Sequence, residues 1–286
     1  MKIINSISGM RKLVLKWKRE GLSVALVPTM GFFHEGHLSL MRAAGSNADH
    51  VVVSLFVNPA QFGPNEDLNH YPRSLEQDTK LAEEEGVSCL FCPDAKDIYP
   101  PGFQTWVRVE GLSQGLCGAS RPEHFRGVAT IVAKLLIILQ PDMAIFGQKD
   151  FQQLQVIRRM VRDLNILVNI IAHPIVREPD GLAMSSRNTY LDAQERESAL
   201  SLVQGLRLAE KMVAHGNRSG PEVIQAIKSH IQSFNNTKID YVFLGDPESL
   251  KPCREIVGET LLALAVWVGK IRLIDNILLK GIGRDK

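Results

Sequence analysis

The residues best suited to chemistry come early in the chain. Residues 27–42 read VPTMGFFHEGHLSLMR, with His34 and His37 three apart and Gly31 and Gly36 beside them. An apolar run precedes them and helix-forming residues follow, so the segment reads as a strand-to-helix turn. Three residues apart on a helix share a face. The helix N-terminus adds free N–H groups and a positive dipole end, which together attract phosphate. Two imidazoles there can also hold or move a proton near neutral pH. Phosphate chemistry is the sharp reading, and surface histidines beside a cap are the bland one. A metal site would need a third ligand nearby, and none is evident.

The elements that must position these groups follow from periodicity and from stop signals. Residues 6–20 carry Ile7, Met10, Val14 and Trp17 at helical spacing. Residues 24–27 form an apolar strand stopped by Pro28, and 38–44 read as helix. The near-continuous apolar run 51–57 suits a strand buried on both faces, ended by Asn58-Pro59. Helix 74–85 and strand 87–91 follow, then helix 127–139, strand 142–146, helix 151–164 and strand 166–172. This alternation predicts an α/β fold, a doubly wound (Rossmann-like) parallel sheet. Ligands bind such sheets beyond the carboxyl ends of the strands, where the first motif stands.

The pattern changes near residue 176. A polar loop, 177–190, leads to helices over 192–215 and 221–234, then to strands over 238–244, 261–268 and 271–274. Gly269-Lys270 suits a tight hairpin. The expectation is a first domain over 1–176 and a smaller C-terminal α+β domain over 177–286.

Composition narrows the class. The 286 residues are 45% hydrophobic, and 33 Lys+Arg face 31 Asp+Glu for a formal net charge of +2. That balance gives no basic footprint for nucleic acid and no polybasic run for a membrane surface. The first twenty residues lack the apolar core of a secretory signal. Cys89 and Cys92 form a lone C-x-x-C around Leu90-Phe91, which reads as a buried strand and not as half of a zinc site. A reducing cytoplasm fits four scattered cysteines.

Further motifs appear in order: VVVSLFVNPAQF at 51–62, YPRS at 71–74, RPEHFRGVATIV at 121–132, FGQKDFQQL at 146–154, DGLAMSSRNTYL at 180–191 and IRLIDN at 271–276. With the first motif, they make the chain resemble, over nearly its whole length, the pantothenate synthetase (pantoate–β-alanine ligase) family of the H-x-G-H nucleotidyltransferase superfamily. The chain departs from that pattern in two places. Phe32-Phe33 stands where smaller residues are expected, and Glu123 where glycine is expected before His-Phe. Other superfamily transferases share mainly H-x-G-H, and a non-catalytic nucleotide-binding module would have no need of His34, His37 and Lys149 together.

The resemblance implies ATP-dependent condensation of pantoate with β-alanine through pantoyl adenylate, releasing AMP and pyrophosphate. It implies His37, His34 and Lys149 as catalytic groups, with His37 the proton donor to departing pyrophosphate. It implies an ATP site from Met30, Gly31, Phe32, Phe33, His34, Glu35, Gly36 and His37, from Gly147, Gln148, Lys149 and Asp150, and from Val176, Met184, Ser185, Ser186 and Arg187. Gln61 and Gln153 would grip pantoate, and Asn58 would help place the second substrate. Mg2+ would accompany ATP. Asp78 is a candidate ligand by its distance past YPR, although its acidic helix favours a solvated carboxylate. His124 reads as a capping or packing histidine, and Arg121 is left between the site and a partner subunit. A cytoplasmic homodimer with a C-terminal domain closing over ATP completes what the family implies.

Overall fold

The computed structural model describes residues 1–63, 66, 68 and 70–281. The chain divides into two compact units. The first holds residues 1–114, 118–148 and 152–174, and the second holds 115–117, 149–151 and 175–286. Val176, expected to close the first domain, therefore belongs to the second unit, as do Lys149 and Asp150.

In the first unit the chain runs β1 (Lys2–Ile4), α1 (Ile7–Arg19), β2 (Val24–Thr29), α2 (Glu35–Gly45), β3 (His50–Leu55), α3 (Leu75–Glu84), β4 (Cys89–Phe91), α4 (Ala95–Ile98), α5 (Cys117–Ser120), α6 (His124–Leu139), β5 (Met143–Gly147), α7 (Phe151–Asp163) and β6 (Asn169–His173). The two end residues Cys117 and Phe151 group with the second unit. Six strands form one sheet in the order β1-β4-β3-β2-β5-β6, and every pairing is parallel. From β2 the chain winds outward through β3 to β4, then returns to the other side of β2 for β5 and β6. The switch point therefore lies between β2 and β5, which is where such sheets bind ligands.

Sequence and structure agree on the core. Val24, Ala25, Leu26 and Val27 are fully buried on the central strand β2, as a strand covered on both faces requires. Pro28 does not stop β2, which continues to Thr29. Val24 O accepts from Asp142 N–H and Thr29 O accepts from Phe56 N–H, so alternate residues of β2 face β5 and β3. Pro28 falls in the β5-facing set, and the β2–β5 register ends at Leu26↔Ala144. The missing N–H of Pro28 thus lies past the last ladder position and costs no hydrogen bond. The edge strand β1 was not expected. Three residues alternate too briefly to signal a strand.

Cys89 is buried on β4, and burial pushes its thiol up to about 12. Cys92 is pushed up to about 11 by the same cause. A metal-binding or redox cysteine needs the opposite shift.

The second unit carries α8 (Ala193–Ala214) and α9 (Gly220–Gln232), then β7 (Thr237–Gly245), β8 (Glu259–Val268) and β9 (Ile271–Lys280) in an antiparallel sheet of order β7-β8-β9. Val268 pairs with Ile271 across Gly269-Lys270, the expected hairpin. Strand β9 runs six residues beyond its expected end at 274, because Asp275 and Asn276 break the apolar alternation while still pairing with β8. A core of Leu202, Leu206, Ile227, Leu262, Leu264 and Val266 joins α8 and α9 to this sheet. No described helix is long and apolar enough to cross a membrane.

Candidate active site

In the first unit, β2 ends at Thr29 and α2 begins at Glu35, so Met30 to His34 must reverse the chain in five residues. Gly31 makes this possible with φ of 85°, a conformation that costs glycine little. A Cβ there would meet Asp78 Oδ2 at 2.9 Å. Phe32 also lies in the left-handed region at φ of 55°. What holds it is Asp78: its Oδ2 accepts from Phe32 N–H at 2.8 Å, and its Oδ1 accepts from Phe33 N–H at 2.7 Å. The carboxylate is 1% exposed. Burial pushes its pKa above the ordinary value, and the Phe33 and Phe32 amides pull against that. Asp78 is thus a buried clamp on the turn, which corrects the expectation of a solvated carboxylate. Asp78 and Ala82 are the buried residues of α3, four apart on its inner face, and that i, i+4 spacing with an apolar residue is the sequence feature that could have marked the face.

The two departures also find their reasons. Phe33 is buried in the core beside Leu40, Met41 and Val53, so the large ring anchors the turn. Glu123 takes an ordinary right-handed conformation at the N-cap of α6 and pairs with Arg126 at 2.6 Å, so no glycine is needed there.

His34 caps α2 and His37 stands in its first turn. His37 N–H donates to His34 O at 2.7 Å, and His34 N–H donates to His37 Nδ1 at 3.3 Å. Accepting at Nδ1 leaves the proton of a neutral His37 ring on Nε2. The two rings lie against each other at a tilt of 35°, 4.1 Å between centroids, and Phe33 flanks His37 at 5.7 Å. The helix N-terminus, two imidazoles and one Nε2–H together make a group whose chemistry suits an anion such as phosphate. Glu35 is exposed and its carboxylate is taken by Arg42, so only its backbone is left for the turn.

Asn58 and Gln61 lie on a short 3-10 turn after β3. Asn58 Nδ2 donates to Gln61 Oε1 at 3.0 Å, and Gln61 Nε2 donates to Met30 Sδ at 3.1 Å. These contacts bring Met30, Asn58 and Gln61 together. The backbone of Gln61 is held as well. Its carbonyl meets His124 Nδ1 at 2.9 Å and accepts from Arg121 Nη2 at 3.3 Å, and Arg121 pairs with Glu66 at 2.5 Å. His124 and Arg121 are therefore supports of the Gln61 turn, which goes beyond the capping or packing expected of His124. Gly147 ends β5 and Gln148 follows it on the other side of the switch point, while Gln153 is half-buried in the first turn of α7.

The remaining candidates stand in the second unit. Lys149 Nζ donates to Met184 O at 2.7 Å, and Lys149 O accepts from Asn276 Nδ2 at 2.9 Å. Burial lowers the Lys149 pKa, Asp150 and Asp275 oppose that, and Arg187 adds to it. The 176–188 loop is a tight structure. Met184 N–H donates to Val176 O at 3.0 Å, and Arg177 bridges Ala183. Arg177 donates to Gly181 O and, with two nitrogens at 2.7 and 3.0 Å, to the buried Asp275. Ser185 caps a 3-10 turn by accepting from Arg187 N–H at 3.3 Å, and Ser186 is buried in it. Lys149, Val176, Met184, Ser185, Ser186 and Arg187 are so gathered in one unit, with Asp150 exposed beside Lys149. Arg177, Asp275 and Asn276, which organise this region, received no role from the sequence. Asp275 and Asn276 lie in the IRLIDN motif, which was the available signal.

The pantoate-beta-alanine ligase family model matches residues 2–278. The chain belongs to the pantoate–β-alanine ligase family. It is similar to pantothenate synthetases of Moorella thermoacetica, 54% identical over 280 residues covering 98% of this chain and 99% of that one, and of Thermotoga neapolitana, 52% identical over 279 residues covering 98% and 100%. Among solved structures, pantothenate synthetase from Thermus thermophilus superposes with a TM-score of 0.92 at 42% identity, covering 97% of this chain and 99% of that one. Pantoate-beta-alanine ligase from Francisella tularensis, solved with beta-gamma ATP and beta-alanine, gives 0.79 at 34% identity, covering 97% of each. As a pantoate–β-alanine ligase, this chain joins the carboxyl group of pantoate to the amine of β-alanine.

Proposed function

We propose that ligation runs through pantoyl adenylate. The pantoate carboxylate attacks the α-phosphorus of ATP, and pyrophosphate leaves. The amine of β-alanine then attacks the acyl carbon, expelling AMP and losing a proton. The observation that carries this reading is the Asp78-clamped turn, which sets His34 and His37 at a helix N-terminus where phosphate charge is best received. Negative charge grows on phosphate oxygens as pyrophosphate departs, so fixed donors are what the step needs.

In this reading His34 and the backbone of residues 30–37 bind the triphosphate, and His37 donates from Nε2 to the leaving pyrophosphate. Lys149 neutralises charge near the α-phosphate. Ser185, Ser186 and Arg187 bind the β- and γ-phosphates, and Gly147, Gln148, Asp150, Val176 and Met184 bind the nucleoside end. Gln61 and Gln153 bind pantoate, and Asn58, whose buried amide is fully engaged, helps place the second substrate only from behind, by holding Gln61. Magnesium enters with the substrate as MgATP. Both Asp78 oxygens are already accepting amide hydrogens, and no group of three or more ligating side chains occurs among the described residues. That donor set suits a hydrated ion carried by phosphates. The same reading takes the enzyme as a cytoplasmic homodimer, in keeping with its free cysteines.

The test omits β-alanine. Enzyme, magnesium, ATP, pantoate and labelled pyrophosphate should yield labelled ATP, and the full reaction should yield AMP. Absence of label in ATP, or ADP as the nucleotide product, would reject the adenylate.

A further inference from the structure

We propose that Tyr99 is a positioning residue that acts through Asn58 to fix the Gln61 amide, so that Gln61 offers N–H and not C=O to pantoate. This rests on the reading that Gln61 touches pantoate.

Asn58 is 2% exposed, and all its polar atoms are engaged. Its Oδ1 accepts from Tyr99 O–H at 2.8 Å and from Ala60 N–H at 3.3 Å. Its Nδ2 donates to Gly127 O at 3.2 Å and to Gln61 Oε1 at 3.0 Å. The Ala60 amide can only donate and the Gly127 carbonyl can only accept. Flipping the Asn58 amide would set N–H against N–H and oxygen against oxygen, so these backbone groups choose its direction and the shorter Tyr99 O–H bond to Oδ1 holds it there. Asn58 Nδ2 must then meet an acceptor, which turns Gln61 Oε1 inward. Gln61 Nε2 is left pointing outward, with one hydrogen toward Met30 Sδ, a weak acceptor. The second has no partner among the described residues.

The relay begins in a rigid place. Tyr99 stacks on Trp106 at 6.0 Å and meets the edge of Phe103 at 5.1 Å, while Lys134 Nζ lies 5.5 Å from its ring centroid. The other side is equally fixed. A Cβ on Gly127 would lie 2.2 Å from Ala60 O, so α6 packs directly against the turn that carries Gln61. The chemistry matches the substrate. Pantoate presents a carboxylate and hydroxyl oxygens, which accept hydrogen bonds. A site built around a fixed donor discriminates strongly against an analogue that lacks the acceptor.

The test measures KM for pantoate, ATP and β-alanine separately, with the thermal midpoint, in three variants of the full chain. Gln61→Ala should raise the pantoate KM, as the underlying reading requires. Tyr99→Phe, which keeps the ring, should raise the pantoate KM about fivefold, the usual worth of one hydrogen bond, with the ATP KM and thermal midpoint unchanged. Gln61→Glu still accepts from Asn58 but has lost the donor, and it should raise the pantoate KM by about a hundredfold. An unchanged pantoate KM in Gln61→Ala would overturn both the contact and the relay. A raised value there with an unchanged one in Tyr99→Phe would overturn the relay alone. A uniform rise in all three KM values with a lower thermal midpoint in Tyr99→Phe would reduce Tyr99 to a structural residue. Near-normal pantoate binding by Gln61→Glu would show that Gln61 presents its oxygen.

Discussion

Two buried aspartates organise the two halves of the candidate machinery, and they do so differently. Asp78 in the first unit is held by the amides of Phe32 and Phe33. Asp275 in the second is held by the guanidinium of Arg177 and by its neighbour's N–H at 2.8 Å. A carboxylate bonded to consecutive amides fixes backbone dihedrals directly, and here it stabilises a turn with two residues at positive φ. A carboxylate bonded to a guanidinium fixes a side chain, and only through Arg177 and Gly181 the loop behind it. The first arrangement fixes the turn that carries His34 and His37. The second gathers segments that are far apart in sequence, namely 149–150, 176–188 and 275–276.

The largest effect should come from breaking the second arrangement. Arg177→Ala leaves Asp275 buried without its cation, which costs about 3 kcal/mol of stability. That figure sits at the low end for a buried pair because Arg177 itself is 28% exposed. Urea unfolding should show a lower midpoint at an unchanged slope, and a midpoint equal to wild type would remove Asp275 from its organising role. His37→Ala should fold normally and slow pyrophosphate exchange by about a hundredfold, equal to about 2.7 kcal/mol, as loss of one transition-state donor does. Near-normal exchange would move the proton donor elsewhere.

Asp78→Asn sharpens the contrast. The amide keeps one acceptor and turns an N–H₂ toward a backbone N–H, so the turn loosens while the volume is preserved. One unmet buried donor costs about 1–3 kcal/mol, and kcat/KM for ATP should fall about tenfold. An unchanged value would mean that the turn holds itself.

The smallest effect concerns pH. Burial lowers the Lys149 pKa, so its proton is lost as pH rises through a value below the ordinary lysine range. If the cation is needed, kcat/KM should fall on that alkaline side. Lys149→Arg stays charged throughout, and its residual activity should lack the fall. An identical alkaline limb in the variant would assign the limb to another group.

How much of this was legible depended on distance along the chain. The turn carrying His34 and His37 was legible because strand, glycine, histidines and helix follow one another within residues 24–45, each with a local signal. The sheet was legible for the same reason, through apolar runs and stop signals. The three-residue β1 was not, and neither was the continuation of β2 through Pro28, which depends on where β5 stops pairing. Lys149, Ser185 and Arg187 came only through family resemblance, because no local pattern marks a lysine after a strand or a serine pair in a turn. Asp78 was misread for a related reason. A charged residue in a charged helix signals solvent unless its face is counted. Tyr99 and Gly127 gave no signal, since a buried hydroxyl and a missing Cβ matter only once the 59–61 turn is pressed against α6.

The Asp78 clamp also ties the motion of one segment to that of another. Amides in a tight turn ordinarily trade their hydrogens with water quickly, since a small local opening frees them. The Phe32 and Phe33 hydrogens are instead bonded to an oxygen pair carried 46 and 45 residues further along, in the first turn of α3. They can leave only when the start of α3 lifts away or the turn detaches from it. In deuterium exchange these two amides and the first turn of α3 should therefore behave as one cooperative unit, so that the order of the His34–His37 turn is set by the stability of a helix distant in sequence.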